Sequence, residues 1–175
     1  VKNKSKDKKD FDPVTNLDQD FEQYIRLLIN KNFSNDSIIG EEFTDKNSTS
    51  SYTWTIDPID GTKAFVIGAP TWSNLIGLSF QKKSLLGLAN FPELNKYYIS
   101  DKSRSYLFKD NKKYILKSSN NYNLRSIKVI SHGNINYGKL RKIIRKFGPL
   151  FRIASFDALN FCLLAEGKVD AVIEG

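Results

Sequence analysis

The chain has 175 residues and a formal net charge of +8, with 40% hydrophobic and 13% aromatic residues. That composition excludes a disordered chain, and no apolar run approaches the roughly 20 residues that a membrane-spanning helix needs. Cys162 is the single cysteine, so an internal disulfide is excluded and a reducing, cytoplasmic setting is expected.

Residues 1–12 read as a charged lead-in or a ragged edge strand, with no apolar region of the kind a signal peptide carries. Thr15 then reads as a helix cap, with Asp18 three residues on as its acidic partner. Leu17, Phe21, Ile25, Leu28 and Ile29 recur at helical spacing, which predicts a helix from about Asn16 to about Asn32. Ser37 to Gly40 is a short strand running into Glu41 and Glu42. The polar stretch Thr44 to Ser51 is a loop. Tyr52 to Ile56 is a strand ending at Asp57, followed by a tight turn and a short helix beginning near Gly61 and Thr62. Strands are expected next at Ser73–Phe80, Leu85–Phe91, Tyr97–Ser100, Ser105–Phe108 and Tyr114–Lys117, spaced as a mostly antiparallel meander.

The polar run Ser118–Asn123 is the expected lobe boundary. Beyond it the pattern becomes strand (Ile127–Ser131), helix (about Tyr137–Phe147), a short strand near Phe151, helix (about Asp157–Glu166) and strand (Val169–Ile173), which is α/β in character. The chain thus divides into an α+β lobe over residues 1–120 and an α/β lobe over 121–175. With Val1 first, no methionine in the chain and a strand stopping abruptly at Gly175, both ends are expected to be cut from a longer protein.

The chemistry concentrates in Asp57-Pro58-Ile59-Asp60-Gly61-Thr62. Two carboxylates stand three residues apart after a strand, with Pro58 stiffening the turn and Gly61 permitting a sharp bend. Two such charges repel by about 4 kcal/mol at 4 Å and an effective dielectric of 20. A bound divalent cation reverses the sign of that term. Oxygen ligands suit a hard ion such as Mg2+, and no His or Cys stands nearby to suit zinc. A helix starting at Gly61-Thr62 would aim main-chain N–H groups at the same place, where they suit a phosphate. A solvated turn is the plain alternative for the two acids alone.

These residues resemble the signature of the inositol monophosphatase family of magnesium-dependent, lithium-sensitive phosphatases. Trp54, Asp57 to Thr62 and Phe65 match it in full, with Gly40-Glu41-Glu42 and Val14-Thr15-Asn16-Leu17-Asp18 matching upstream motifs in the right order. The resemblance covers nearly the whole chain and implies a layered α/β/α/β/α sandwich, incomplete here at both ends. It implies that Glu41, Asp57 and the carbonyl of Ile59 hold a first metal, and that Asp57 and Asp60 share a second. It implies that Gly61 and Thr62 bind phosphate through their N–H groups, and that the Thr62 hydroxyl, backed by Asp18, helps activate the attacking water. Glu41 is a candidate for sharing that task, with Glu42 the weaker of the two neighbours. The family carries a further Asp downstream of the Glu174 position. The sequence stops before it, so at most part of the second metal site is expected, with slow turnover or none.

Asp157, followed by Asn160 to Ala165, resembles the substrate-lobe helix of the histidinol-phosphatase branch, as do Pro70-Thr71-Trp72 and Leu75 to Leu78. By that resemblance Asp157 and Glu174 contact the substrate, which would be histidinol phosphate, a metabolite of histidine biosynthesis. A helix-capping role for Asp157 stands beside this one. The implied reaction is phosphomonoester hydrolysis by direct water attack without a covalent phosphoenzyme. Inositol phosphates and a 3′-phosphorylated nucleotide are the other substrates in view. Family members are commonly dimers, so a homodimer is expected for the full-length protein.

The basic charge keeps one reading outside the class open, a non-catalytic nucleic-acid-binding module. Its lysines lie at Lys2, Lys4, Lys6, Lys8 and Lys9, at Lys112, Lys113 and Lys117, and along 139–146. Such a module needs aromatics interleaved with cations, and only Tyr97, Tyr98, Arg104 and Tyr106 offer that. His132 reads as a loop residue. Cys162 reads as core, and Trp54 and Trp72 as packing beside the site.

Overall fold

A computed structural model describes residues 3–5, 13–131, 142 and 150–174. The helix expected near 137–147, apart from Lys142, and His132 lie outside the described residues. The chain forms two compact units, Val1–Tyr114 and Ile115–Gly175.

In the first unit, β1 (Asn3–Ser5) pairs antiparallel with β2 (Pro13–Thr15), so part of the charged lead-in is the expected edge strand. Helix α1 runs Asn16–Asn32, the span that the spacing predicts. The stripe it buries is rotated from the apolar one, however. Asp18, Glu22 and Ile29 are the buried residues, while Phe21 and Leu28 are exposed. The apolar part of that stripe packs Ile25 and Ile29 against Ile38, Ile56 and Trp54.

A seven-stranded sheet follows in the order β3 to β9. Its strands are β3 (Ser37–Gly40), β4 (Tyr52–Asp60), β5 (Ser73–Phe80), β6 (Lys83–Phe91), β7 (Lys96–Ser100), β8 (Ser105–Lys109) and β9 (Lys112–Ile115). From β4 to β8 the pairing is antiparallel, as in the expected meander, whereas β3 lies parallel to β4. The outer side of β3 is met by a bridge from the loop, Ile38 to Lys46. Helix α2 (Thr62–Val66) leaves the end of β4, and its Phe65 packs edge-on against Trp72. Trp54 donates its indole N–H to Asp36 at 3.0 Å.

The second unit is a parallel sheet, with β10 (Val129–Ser131) between β11 (Phe151–Ile153) and β12 (Ala171–Ile173). Its core gathers Val129 and Phe151 with Ile127, Ala171 and Ile173. Helix α3 (Ala158–Ala165) buries Leu159, Asn160 and Cys162. The polar run expected to part the lobes belongs to this unit. Asn121 donates to Asp170 Oδ2 at 3.2 Å, and the same oxygen accepts the Lys128 N–H at 2.7 Å. A side chain on Gly167 would collide with the carbonyl of Lys117, so that run is packed in closely. The fold is mixed α+β, a sheet flanked by helices.

Candidate active site

Because β3 and β4 run parallel with Gly40 opposite Ile56, the next residue on each chain is Glu41 and Asp57. The topology therefore sets these two acids side by side, Glu41 just past the end of β3 and Asp57 within β4. β4 does not stop at Asp57, as expected, but continues to Asp60 through an irregularity. Asp57 faces Leu75 and Asp60 faces Ser73, so three steps on β4 match two on β5. Pro58 explains the extra residue, since it has no N–H to give to a ladder. The side chain of Asn74 substitutes for part of the lost pairing. It donates to the Pro58 carbonyl at 2.7 Å and accepts from Asn90 at 2.9 Å. Ser73, fully buried, donates to Asp60 Oδ2 at 2.8 Å.

Gly61 turns the chain with φ 79° and ψ 43°, a left-handed conformation that costs a glycine little. Helix α2 starts directly after it. The Thr62 hydroxyl donates to the Ile59 carbonyl at 3.0 Å.

Burial pushes the Asp57 carboxyl up to about 8, helped by the charges of Glu41 and Asp60, a side-chain hydrogen bond with Glu41, and the charge of Asp18. Asp57 Oδ1 is buried without a hydrogen-bond partner, which is costly for a group of this kind. Asp18 is itself buried on α1. Three acids thus bear on one carboxyl. Among the described residues no three His, Cys, Asp or Glu side chains stand in a ready ligand cluster. The donor chemistry still fits a hard cation. The ligands would be all oxygen, one of them is an orphaned buried atom, and a positive charge would offset the repulsion of Glu41, Asp60 and Asp18 that helps to raise Asp57.

Asp157 and Glu174 belong to the second unit. Asp157 occupies the position before α3 with φ 46° and ψ −128°, and its side chain makes no capping hydrogen bond to the helix. Glu174 directly follows β12 and is exposed.

Ser73, Asn74, Asn90 and Glu22 went unnoticed in the sequence. For Glu22 a signal existed, since it lies on the same helical stripe as Asp18, Ile25 and Ile29. An acid on a buried stripe must find donors. The aromatics considered for nucleic acid are engaged within the first unit. Tyr97 stacks on Phe108 at 4.7 Å, Lys113 covers Tyr106 at 3.8 Å, and Tyr98 packs edge-on to Phe91.

Over residues 1–175 the chain matches the inositol monophosphatase family. A histidinol-phosphatase of Mycobacterium tuberculosis is 27% identical over 95% of this chain and 66% of its own length. The chloroplastic bifunctional phosphatase IMPL2 of Arabidopsis thaliana is 33% identical over 96% of this chain and 49% of its own. A solved IMPase from Thermotoga maritima superposes with a TM-score of 0.81 at 28% identity, covering 95% of this chain and 65% of that one. The chain therefore spans about half to two thirds of the length of these relatives.

Proposed function

Since the chain belongs to the inositol monophosphatase family, we propose that its parent protein hydrolyses the phosphomonoester of a small metabolite with the help of Mg2+. One observation carries this reading. Asp57 is buried among acids, with one oxygen unpartnered and its carboxyl raised to about 8. Buried acids perturbed in this way gather at functional sites.

Glu41, Asp57, Asp60 and the Ile59 carbonyl would hold the metal. When bound it would neutralise phosphate charge and acidify the attacking water. Thr62 would then give up its bond to the Ile59 carbonyl, and its hydroxyl, with Asp18, would orient and deprotonate that water. Glu41 would share the proton. The N–H groups of Gly61 and Thr62 would hold phosphate oxygens as negative charge builds on them.

We place histidinol phosphate first among substrates. The Mycobacterium tuberculosis relative bears that name. Asp157 also supports it by its place directly before α3, where it is held at positive φ, a strained conformation of the kind that gathers at functional sites. Its charge suits an amine at the far end of a substrate, with Glu174 beside it in the role. Inositol phosphates and 3′-phosphorylated nucleotides are the competing substrates of the same site, and a homodimer is the proposed assembly of the full-length protein.

The test is phosphate release by the full-length protein from histidinol phosphate, inositol 1-phosphate and a 3′-phosphonucleotide, with and without Mg2+. Magnesium-dependent release, fastest from histidinol phosphate, is expected. Release from none of the three would overturn the reading, and a preference for inositol phosphate would overturn the substrate.

A further inference from the structure

Glu22 is fully buried, 0% exposed on α1, yet it is a carboxylate. Both of its oxygens are saturated. Oε2 accepts the main-chain N–H groups of Glu41 at 2.9 Å and Glu42 at 2.8 Å. Oε1 accepts the Phe43 N–H at 3.3 Å and Arg26 Nε at 2.7 Å. Every partner is a donor, and the two oxygens only accept. Arg26 also donates from Nη2 to the Phe43 carbonyl at 3.1 Å, which ties the far end of the same loop to α1.

Gly40 shapes the other side of this arrangement. A β-carbon built there would overlap the Glu22 carboxylate and the Arg26 guanidinium. The glycine before Glu41 is therefore needed for space, with no demand for an unusual backbone angle. Three successive N–H groups directed at one carboxylate make a nest of the kind that binds anions. Here the anion is internal, and its effect is to fix three residues of a loop that no helix or strand supports.

We propose that Glu22 is a positioning residue for the reaction: its buried carboxylate, aimed by Arg26 and admitted by Gly40, holds the Glu41–Phe43 main chain so that the Glu41 side chain is presented to Asp57. The inference rests on the reading of Glu41 as a metal-holding residue. Glu22 acts only through Glu41, and a helix carrying Asp18 one turn earlier thereby fixes two parts of the site at once.

The experiment uses the full-length protein and four variants, Glu22→Gln, Gly40→Ala, Arg26→Lys and Glu41→Gln. Gln keeps the shape of Glu but turns an amide N–H2 toward N–H donors. Gly40→Ala crowds the same contact from the opposite side while Glu22 itself stays unsubstituted. Magnesium affinity is read by calorimetry, loop protection by hydrogen exchange at 41–43 in metal-free protein, and turnover by kcat and KM separately. Glu22→Gln and Gly40→Ala should each weaken magnesium binding about tenfold or more, speed exchange at 41–43, and lower kcat more than they raise KM. The double variant should be little worse than either single one, because both break one contact. Arg26→Lys should weaken binding less. Should Glu22→Gln fail to fold, Gly40→Ala and Arg26→Lys carry the same measurement. Folded variants with wild-type magnesium affinity, beside a Glu41→Gln that loses it, would overturn the inference and leave the reading of Glu41 standing. Glu41→Gln with unchanged affinity would overturn that reading and the inference with it.

Discussion

At neutral pH a carboxyl raised to about 8 is mostly protonated in the metal-free fold, while the unfolded chain titrates it near 3.8. The folded state therefore binds the proton more tightly. Its contribution to stability is complete below pH 3.8 and is lost as pH rises through about 8. Metal-free protein should accordingly lose stability across that window. Asp57→Asn should flatten this slope and abolish magnesium binding while leaving the fold intact, measured by thermal melts in chelator and by calorimetry. Saturating magnesium should act oppositely, adding about 2.7 kcal/mol at a concentration one hundred times Kd. An unchanged pH slope in the variant would remove Asp57 from its assigned place. Thr62 supplies a second residue-scale test. Thr62→Ala in the full-length protein should lower kcat by orders of magnitude and change KM less, since the hydroxyl is assigned to the transition state. Asp57 and Thr62 could be found in the sequence because their motif is local. Ser73 and Asn90 could not, because each works on a partner 13 or 16 residues away, and no residue type announces a distant partner; Glu22 was signalled only by its place on the stripe of Asp18, Ile25 and Ile29, which left its partners open.

Among the elements, α1 was legible to its ends because start, stop and period are local properties of the chain. Its buried face was legible only at Ile25 and Ile29. The apolar spacing of Phe21 and Leu28 pointed to one stripe, and the loop after β3 and the acids it faces decided another. The extent of β4 was misjudged for a related reason. Pro58 argues for a strand end, and the bond from Asn74 that lets the strand continue comes from β5. Asn74→Ala should remove that donor, cost about 1–3 kcal/mol of stability and weaken magnesium binding by letting the Asp57–Asp60 segment shift. Asn90→Ala should do the same more mildly, because it holds Asn74 and not the strand. Urea denaturation with and without magnesium separates the two contributions. Equal loss in both variants would show that the relay has no direction.

At the scale of the whole molecule, the change from antiparallel meander to parallel α/β was visible in the spacing of elements. A polar run such as Ser118–Asn123 looks alike in sequence whether it links two units or is bonded into one, as Asn121 is to Asp170. The second unit carries the specificity question. In the full-length protein, Asp157→Asn should slow histidinol phosphate hydrolysis about tenfold or more if one charge-assisted hydrogen bond is lost. It should leave inositol phosphate hydrolysis nearly untouched, by competition kinetics with both substrates. Equal losses on the two would assign Asp157 to the fold.

A seven-stranded open sheet has two borders, and each invites another chain to extend it. The border at β3 is closed by the Lys46 bridge, and the Lys46 ammonium is itself tied to Asn30 Oδ1 and the Ser34 carbonyl, each at 2.6 Å. The border at β9 has a different protection. All four of its residues are exposed, two of them, Tyr114 and Ile115, are apolar, and Lys112 and Lys113 are adjacent charges at its start. An added chain in register would bring these like charges together, which disfavours its pairing. Lys112→Thr with Lys113→Thr should leave the site unchanged yet make the protein self-associate into sheet-rich aggregates at concentrations the parent tolerates. Light scattering and thioflavin fluorescence over time would record it, and an equally clear solution would mean that the border is guarded by something other than charge.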